Sequence, residues 1–114
     1  MDENIGSLEL FHGPTMAFKD VGARFMSRCL GYFSKEKKAS DINSNLTKSS
    51  EDNTINKPTT VLVATSGDTG GAVANGFLGV EGVNVIILYP KGKVSPIQEL
   101  QLTTCGQNIT ALEV

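Results

Sequence analysis

The chain has 114 residues, of which 39% are hydrophobic and 19% charged, and its formal net charge is -2. That length allows one small domain, and the near-neutral charge argues against nucleic acid or an anionic membrane as a partner. No apolar run approaches the ~20 residues of a membrane-spanning helix, and the N-terminus lacks a secretory signal, so we expect a cytoplasmic protein.

The first predicted element is an amphipathic helix from about Lys19 to Phe33. Apolar residues recur there at every fourth position, and arginines lie on the wetter side. The apolar series is Val21, Phe25, Cys29 and Phe33, and the arginines are Arg24 and Arg28. The spacing predicts that the apolar series forms the dry face of this helix.

A polar tract from 39 to 58 follows. It is rich in Ser, Asn, Asp and Lys, and its larger apolar residues are only Ile42, Leu46 and Ile55. Burial of so few apolar side chains cannot offset the entropy lost on ordering the segment. We therefore expect residues 39–58 to form a flexible surface insertion.

Strands and helices alternate along the second half of the chain. The pattern predicts strands at Thr59–Thr65, Val83–Tyr89 and Asn108–Val114, and helices at Gly70–Leu78 and after Ser95. This order is typical of a parallel βαβαβ sheet in a three-layer α/β fold. The continuous Val, Ile and Leu of the middle strand predict that it is buried on both faces. A sheet that stops at its third strand is incomplete, so we expect the chain to be a fragment.

The helix after Ser95 carries the clearest local signal. Ser95 offers a hydroxyl cap, Pro96 occupies the first helical position and Gln98 the third. This combination is a capping box with a proline where its missing N–H costs nothing. Gly106 is expected to mark the end of the helix.

A loop of glycines and hydroxyl side chains, Thr65–Gly70, joins a predicted strand to a predicted helix. Glycine lets a ligand approach the backbone closely, and a helix N-terminus offers unpaired N–H groups with a partial positive charge. The loop is therefore able to bind a carboxylate or phosphate. The alternative is a plain turn that Asp68 or Thr69 caps. The dinucleotide, Walker and nucleophile-elbow motifs do not occur, which argues against dinucleotide or ATP binding.

Lys19 stands at the predicted start of the first helix, among apolar residues. Phe11, Met16 and Phe18 would desolvate its ammonium, and the helix N-terminus disfavours a cation. Both effects favour the neutral amine that attacks a carbonyl. Asp20 would oppose them, because a neighbouring carboxylate stabilises the ammonium, unless its side chain is occupied in capping the helix. A reactive amine facing an anion-binding loop suits a pyridoxal-phosphate enzyme that acts on an amino acid, and a solvated surface lysine is the alternative.

Ordered motifs in this sequence resemble threonine synthase of the type found in many bacteria and in fungi. They are Glu9–Thr15, Ala17–Asp20, Ala64–Gly70 and Leu88–Pro96. The resemblance covers nearly the whole chain outside the 39–58 tract. It implies that residues 1–114 are part of the catalytic domain of a fold-type II pyridoxal-phosphate lyase in threonine biosynthesis. That enzyme converts O-phospho-L-homoserine and water to L-threonine and phosphate.

The same resemblance implies roles for individual residues. Lys19 would hold the cofactor covalently and serve as the catalytic base that moves protons at Cα and Cβ of the substrate. Phe18 and Asp68 would also contact the cofactor. The substrate carboxylate would bind to Ser66, Gly67, Asp68 and Thr69.

Other chemistry-bearing residues receive structural interpretations. His12 is expected to be a turn residue, with a place in the pocket wall as the alternative. Lys91 and Lys93 are expected to be surface charges, although either would be able to meet a phosphate. Cys29 and Cys105 are too far apart in sequence for a metal or redox motif, and we expect no metal site.

Two parts of a complete site have no counterpart in this sequence: the glycine-rich loop for the cofactor phosphate and the partner of the pyridine nitrogen. We therefore expect the isolated chain to be inactive. Three alternatives stay open: another fold-type II enzyme such as a serine/threonine dehydratase or sulfhydrylase, a threonine synthase-like phospho-lyase, and a non-catalytic anion- or nucleotide-binding α/β module. If the Lys19 side chain were directed away from the 66–70 loop, the anion- or nucleotide-binding module would be favoured.

Overall fold

The computed structural model describes residues 4–44 and 58–114, without the side chains of residues 41–44. Its elements in chain order are α1 (Lys19–Ser44), β1 (Thr59–Ala64), α2 (Asp68–Phe77), β2 (Val83–Tyr89), α3 (Pro96–Thr103) and β3 (Ile109–Glu113). The strands form one parallel sheet in the order β1-β2-β3. The predicted α/β class and the parallel βαβαβ arrangement are therefore confirmed.

The core lies between one face of the sheet and the helices. Alternate residues of β2 point to this face and are buried, and Phe77 of α2 and Leu102 of α3 pack against them. Leu62 and Leu112 on the opposite face are 65% and 47% exposed. Asn84 on that face of β2 is also exposed. The prediction that β2 is buried on both faces is therefore wrong for the described residues, because the helices pack against the other face.

Helix α1 differs from its prediction in length and in the face that it buries. It continues past Phe33 to Ser44. Val21 and Phe25 of the predicted dry face are 49% and 72% exposed, whereas Ala23 and Ser27 are buried. Small residues face α2 because the two backbones approach closely: a Cβ on Gly76 would lie 3.1 Å from the Ala23 carbonyl carbon. A search for large apolar residues at helical spacing does not detect such a contact.

The predicted insertion at 39–58 lies mostly outside the described residues. Residues 39–44 form the last part of α1, so the tract does not begin as a loop. Residues 45–57 are not described, and the flexibility of the tract stays a prediction.

Two findings about membranes and metals apply only to the residues that the structure describes. Within 4–44 and 58–114, no helix has the length and apolar character that would carry it across a bilayer. The same residues contain no group of three or more His, Cys, Asp or Glu side chains that is arranged to hold a metal ion.

The capping box at the start of α3 is formed as predicted. Ser95 Oγ accepts a hydrogen bond from the Gln98 N–H at 3.3 Å, and Gln98 Oε1 accepts one from the Ser95 N–H at 3.1 Å. Pro96 occupies the first helical position. The helix ends at Thr103, and Gly106 follows in a left-handed conformation with φ 63°.

Loss of the Ser95 hydroxyl is expected to destabilise the chain moderately. Ser95→Ala should lower the free energy of unfolding by about 1 kcal/mol, because an N-cap oxygen is removed from an α-helix. Urea unfolding followed by circular dichroism measures this change. Ser95→Thr keeps the oxygen and serves as the control, and equal stabilities of the alanine and threonine variants would contradict the role of the cap.

Candidate functional site

A polar pocket of about 330 Å³ lies at the carboxyl end of β1. Strand β1 ends at this edge of the sheet, and α2 begins there. Lys19, the first residue of α1, lies at the same edge. The pocket is lined by Lys19, Ala64, Thr65, Ser66, Gly67, Asp68, Thr69 and Gln98. The structure thus brings the predicted lysine and the predicted anion loop together, and the alternative in which Lys19 points away from the loop is not favoured.

The Thr65 hydroxyl stabilises the loop by hydrogen bonds to its backbone. Its Oγ1 accepts hydrogen bonds from the N–H groups of Gly67 at 3.1 Å and Gly70 at 3.0 Å. These bonds curl the backbone at the end of β1 into the first turn of α2. This function of Thr65 is not among the predictions above, although a hydroxyl residue directly after a strand and before two glycines is a signal for it.

Three backbone donors of the loop remain open to a ligand. The N–H groups of Ser66, Asp68 and Thr69 have no hydrogen-bond partner among the described residues. No side chain caps α2: the N-cap is Gly67, and the Asp68 carboxylate instead accepts a hydrogen bond from Gln98 Nε2 at 2.8 Å. The alternative of a plain turn that Asp68 or Thr69 caps is therefore not favoured by the described residues. Free amides at a helix N-terminus attract an anion.

Lys19 is half-buried at the start of α1, and its neighbour Asp20 is engaged elsewhere. The Asp20 carboxylate is 1% exposed and accepts hydrogen bonds from the Thr15 N–H at 2.9 Å and the Thr15 hydroxyl at 2.6 Å. Within the described part of the chain, Lys19 forms no ion pair with Asp20. The Asp20 side chain is thus occupied by the turn before α1, and not by capping the helix as predicted.

The turn that precedes Lys19 packs against the Asp20 carboxylate. A Cβ on Gly13 would lie 2.6 Å from Asp20 Cβ, so only glycine leaves room for the Asp20 side chain. The Thr15 bonds hold the other side of the turn. Together they determine where α1 begins and therefore where the Lys19 side chain leaves the backbone.

The predicted apolar shield around Lys19 is not formed by the described residues. Phe11, Met16 and Phe18 are 55%, 80% and 65% exposed. The Phe18 ring centroid lies 5.3 Å from Lys19 Nζ, but Phe18 does not line the pocket. Its predicted contact with a cofactor stays a prediction.

The remaining candidate residues lie away from the pocket. His12 Nε2 is 2.8 Å from Glu9 Oε2 on the surface, in agreement with a turn residue. Lys91 Nζ is 3.8 Å from Glu113 Oε2, and neither Lys91 nor Lys93 lines the pocket. None of these residues joins the Lys19 site in this structure.

Substitution of Gly70 is expected to disturb the loop and the core together. A Cβ there would overlap Thr65 Cγ2 and lie 2.8 Å from Leu102 Cδ2. Gly70→Ala should therefore lower the free energy of unfolding by about 2 kcal/mol, as overpacking of a tight core does.

The control for this prediction is Gly22→Ala in α1. Nothing lies within 4 Å of a Cβ at Gly22. Alanine in a helix interior is favoured over glycine by roughly 0.5–1 kcal/mol, so this variant should gain stability in urea unfolding. A Gly70→Ala protein as stable as the unsubstituted chain would contradict the packing argument.

No protein-family profile matches the chain, but individual relatives match it over its whole length. It is 46% identical over 114 residues to threonine synthase from Haemophilus influenzae and 44% identical over 114 residues to threonine synthase from Escherichia coli. Both comparisons cover 100% of this chain and 22% of the relative. The chain therefore spans less than a quarter of the length of these relatives. The predicted resemblance to threonine synthase is confirmed.

Solved structures show the same relationship. The crystal structure of threonine synthase from yeast has a TM-score of 0.75 and 44% identity, covering 93% of this chain and 19% of that one. A structure of threonine synthase from Brucella melitensis with bound pyridoxal phosphate has a TM-score of 0.72 and 37% identity, with the same coverages. The arrangement of α1 to β3 thus resembles the corresponding part of these threonine synthase structures.

Proposed function

We propose that this chain is part of a threonine synthase, which converts O-phospho-L-homoserine and water to L-threonine and phosphate. One observation carries the proposal: Lys19 and the open N–H groups of the 66–69 loop line a single polar pocket. The similarity to threonine synthases along the whole chain supports it. A cytoplasmic location stays a prediction from the sequence.

The residues present fit one side of a pyridoxal-phosphate site. The pocket contains an amine that is not paired with the adjacent carboxylate, and the free amides next to it suit an amino-acid carboxylate. Lys19 would hold the cofactor covalently, and Asp68 would lie beside it. When bound, pyridoxal phosphate supplies an electron sink for negative charge that develops on the substrate.

The chain's own residues would position the substrate and move its protons. The N–H groups of Ser66, Asp68 and Thr69 would bind the carboxylate, with the partial positive charge at the start of α2 adding to the attraction. A carboxylate held there fixes the direction of the Cα–H bond, which is a positioning effect. Lys19, which lines the same pocket, would accept the proton from Cα as a general base, release it, and then accept one from Cβ.

The test is a graft into a complete enzyme. This chain replaces the matching part of Escherichia coli threonine synthase, and the hybrid is produced in a strain that lacks its own enzyme. We expect growth without added threonine. The purified hybrid should release phosphate and L-threonine from O-phospho-L-homoserine, and it should not release pyruvate from L-serine.

The products separate the alternative functions. Pyruvate from L-serine, without turnover of O-phospho-L-homoserine, would identify a dehydratase. A folded hybrid that turns over neither compound, although the unmodified Escherichia coli enzyme is active beside it, would favour a non-catalytic anion-binding module. Circular dichroism of the hybrid establishes that it is folded.

A further inference from the structure

The Gln98 side chain connects the start of α3 to the anion loop. Its Oε1 accepts a hydrogen bond from the Ser95 N–H at 3.1 Å, which completes the capping box. Its Nε2 donates to Asp68 Oδ1 at 2.8 Å, across 30 residues of sequence. A glutamate at this position would make the first bond equally well but has no proton to donate in the second. The capping box alone therefore does not account for glutamine here.

Gly67 leaves the space that the Gln98 amide occupies. A Cβ on Gly67 would lie 2.7 Å from Gln98 Nε2 and 3.1 Å from its amide carbon. The amide group also lines the pocket together with Lys19 and the 66–69 loop. Gln98 is thus packed against the loop and hydrogen-bonded to it at the same time.

The Asp68 carboxylate has a competing position. Asp68 is the first residue of α2, where an acidic side chain is attracted to the free N–H groups of its own helix. The N–H groups of Asp68 and Thr69 in that first turn are open, as is the N–H of Ser66 just before it. A carboxylate that turned toward them would occupy the donors and repel any incoming anion. In the structure the bond to Gln98 holds it aside.

We propose that Gln98 is a positioning residue that keeps the Asp68 carboxylate away from the 66–69 amides, so that these amides bind the carboxylate of the substrate. The inference rests on the proposed function, because it assigns that loop to an amino-acid carboxylate. Gln98 acts through Asp68.

The first test uses the 114-residue chain and sodium acetate as a carboxylate probe. Backbone amide resonances of Ser66, Asp68 and Thr69 are followed by NMR as acetate is added. In Gln98→Glu the capping bond is kept, but a carboxylate faces Asp68 and repels it toward the amides. We expect the acetate dissociation constant to rise at least threefold, with no loss of stability in urea.

Two further variants separate positioning from added charge. Gln101→Glu places the same charge on α3 without touching a bond to Asp68, so its acetate affinity should change less than that of Gln98→Glu. In the double variant Gln98→Glu with Asp68→Asn, the asparagine amide donates to the new glutamate and no carboxylate competes. Acetate affinity should return to at least the original value.

A second measurement uses the hybrid enzyme. Gln98→Glu should raise KM for O-phospho-L-homoserine at least threefold and leave kcat nearly unchanged, because binding of the carboxylate is weakened in ground and transition states alike. Equal acetate affinity and equal KM in Gln98→Glu and the unsubstituted protein would overturn the inference while leaving the proposed function intact. If acetate shifts none of the loop amides in the unsubstituted chain and the hybrid is also inactive, the proposed function itself fails, and the inference fails with it.

Discussion

Replacement of Lys19 by alanine in the hybrid enzyme is expected to abolish threonine formation. The side chain would hold the cofactor and move two substrate protons, and loss of a group with such roles costs about 10⁴-fold or more in kcat. The visible absorbance of bound pyridoxal phosphate should change at the same time, because its covalent attachment is removed. Steady-state kinetics and an absorbance spectrum of the purified variant measure both effects.

Lys91→Ala is the matched control for Lys19→Ala. Lys91 is an exposed lysine on the same edge of the sheet, 3.8 Å from Glu113, and it does not line the pocket. Its replacement should leave kcat and the spectrum within about twofold of the original values, as surface substitutions usually do. A Lys19→Ala hybrid that keeps more than about a hundredth of its activity would place the catalytic base elsewhere.

Replacement of Asp20 by alanine is expected to be the most destabilising single change near the site. The carboxylate is 1% exposed and accepts two hydrogen bonds from Thr15. Hydrogen bonds to a charged group contribute roughly 1.5–3 kcal/mol each, and the loss leaves donors without an acceptor. Asp20→Ala should therefore lower the free energy of unfolding by about 3 kcal/mol. Urea unfolding of the 114-residue chain provides the measurement.

Two substitutions at Thr15 divide this effect into its parts. Thr15→Val removes the hydroxyl donor but keeps the backbone bond, so it should cost about half as much as Asp20→Ala. Thr15→Ser keeps both donors and should cost less than about 1 kcal/mol. If Asp20→Ala is no more destabilising than Thr15→Ser, the carboxylate does not hold the turn before Lys19.

Helix α1 shows where pattern reading failed. Large apolar residues at every fourth position indicated the wrong face, because Val21, Phe25 and Phe33 are exposed in this structure. Ala23 contacts α2 at Gly76, and Ser27, one turn along the helix, is buried as well. The small volume of Ala23 lets the two helices approach. Hydrophobic periodicity measures how much apolar area a face offers, and it carries no information on how closely a neighbouring backbone lies.

The residues of the candidate site also differ in whether the sequence alone predicts their roles. Lys19 and the 66–69 loop were predictable, since a lysine in a recognisable motif and a glycine-hydroxyl turn after a strand are local signals. Thr65 and Gln98 were not, because their functions depend on bonds that form only when separate segments meet. Gln98 was correctly predicted as a capping residue. Nothing in the nearby sequence indicates that its side-chain nitrogen, Nε2, donates a hydrogen bond to Asp68.

Local sequence signals predict the order of elements, the parallel sheet, the capping box of α3, and Lys19 with the 66–69 loop as candidates for one site. Each of these depends on neighbours within a few residues or on a motif that stands in one stretch of chain. The sequence does not show that Asp20 bonds to Thr15 and not to Lys19, or that Asp68 bonds to Gln98 and leaves the loop amides without a partner among the described residues. A carboxylate beside several donors has several local choices, and packing selects among them.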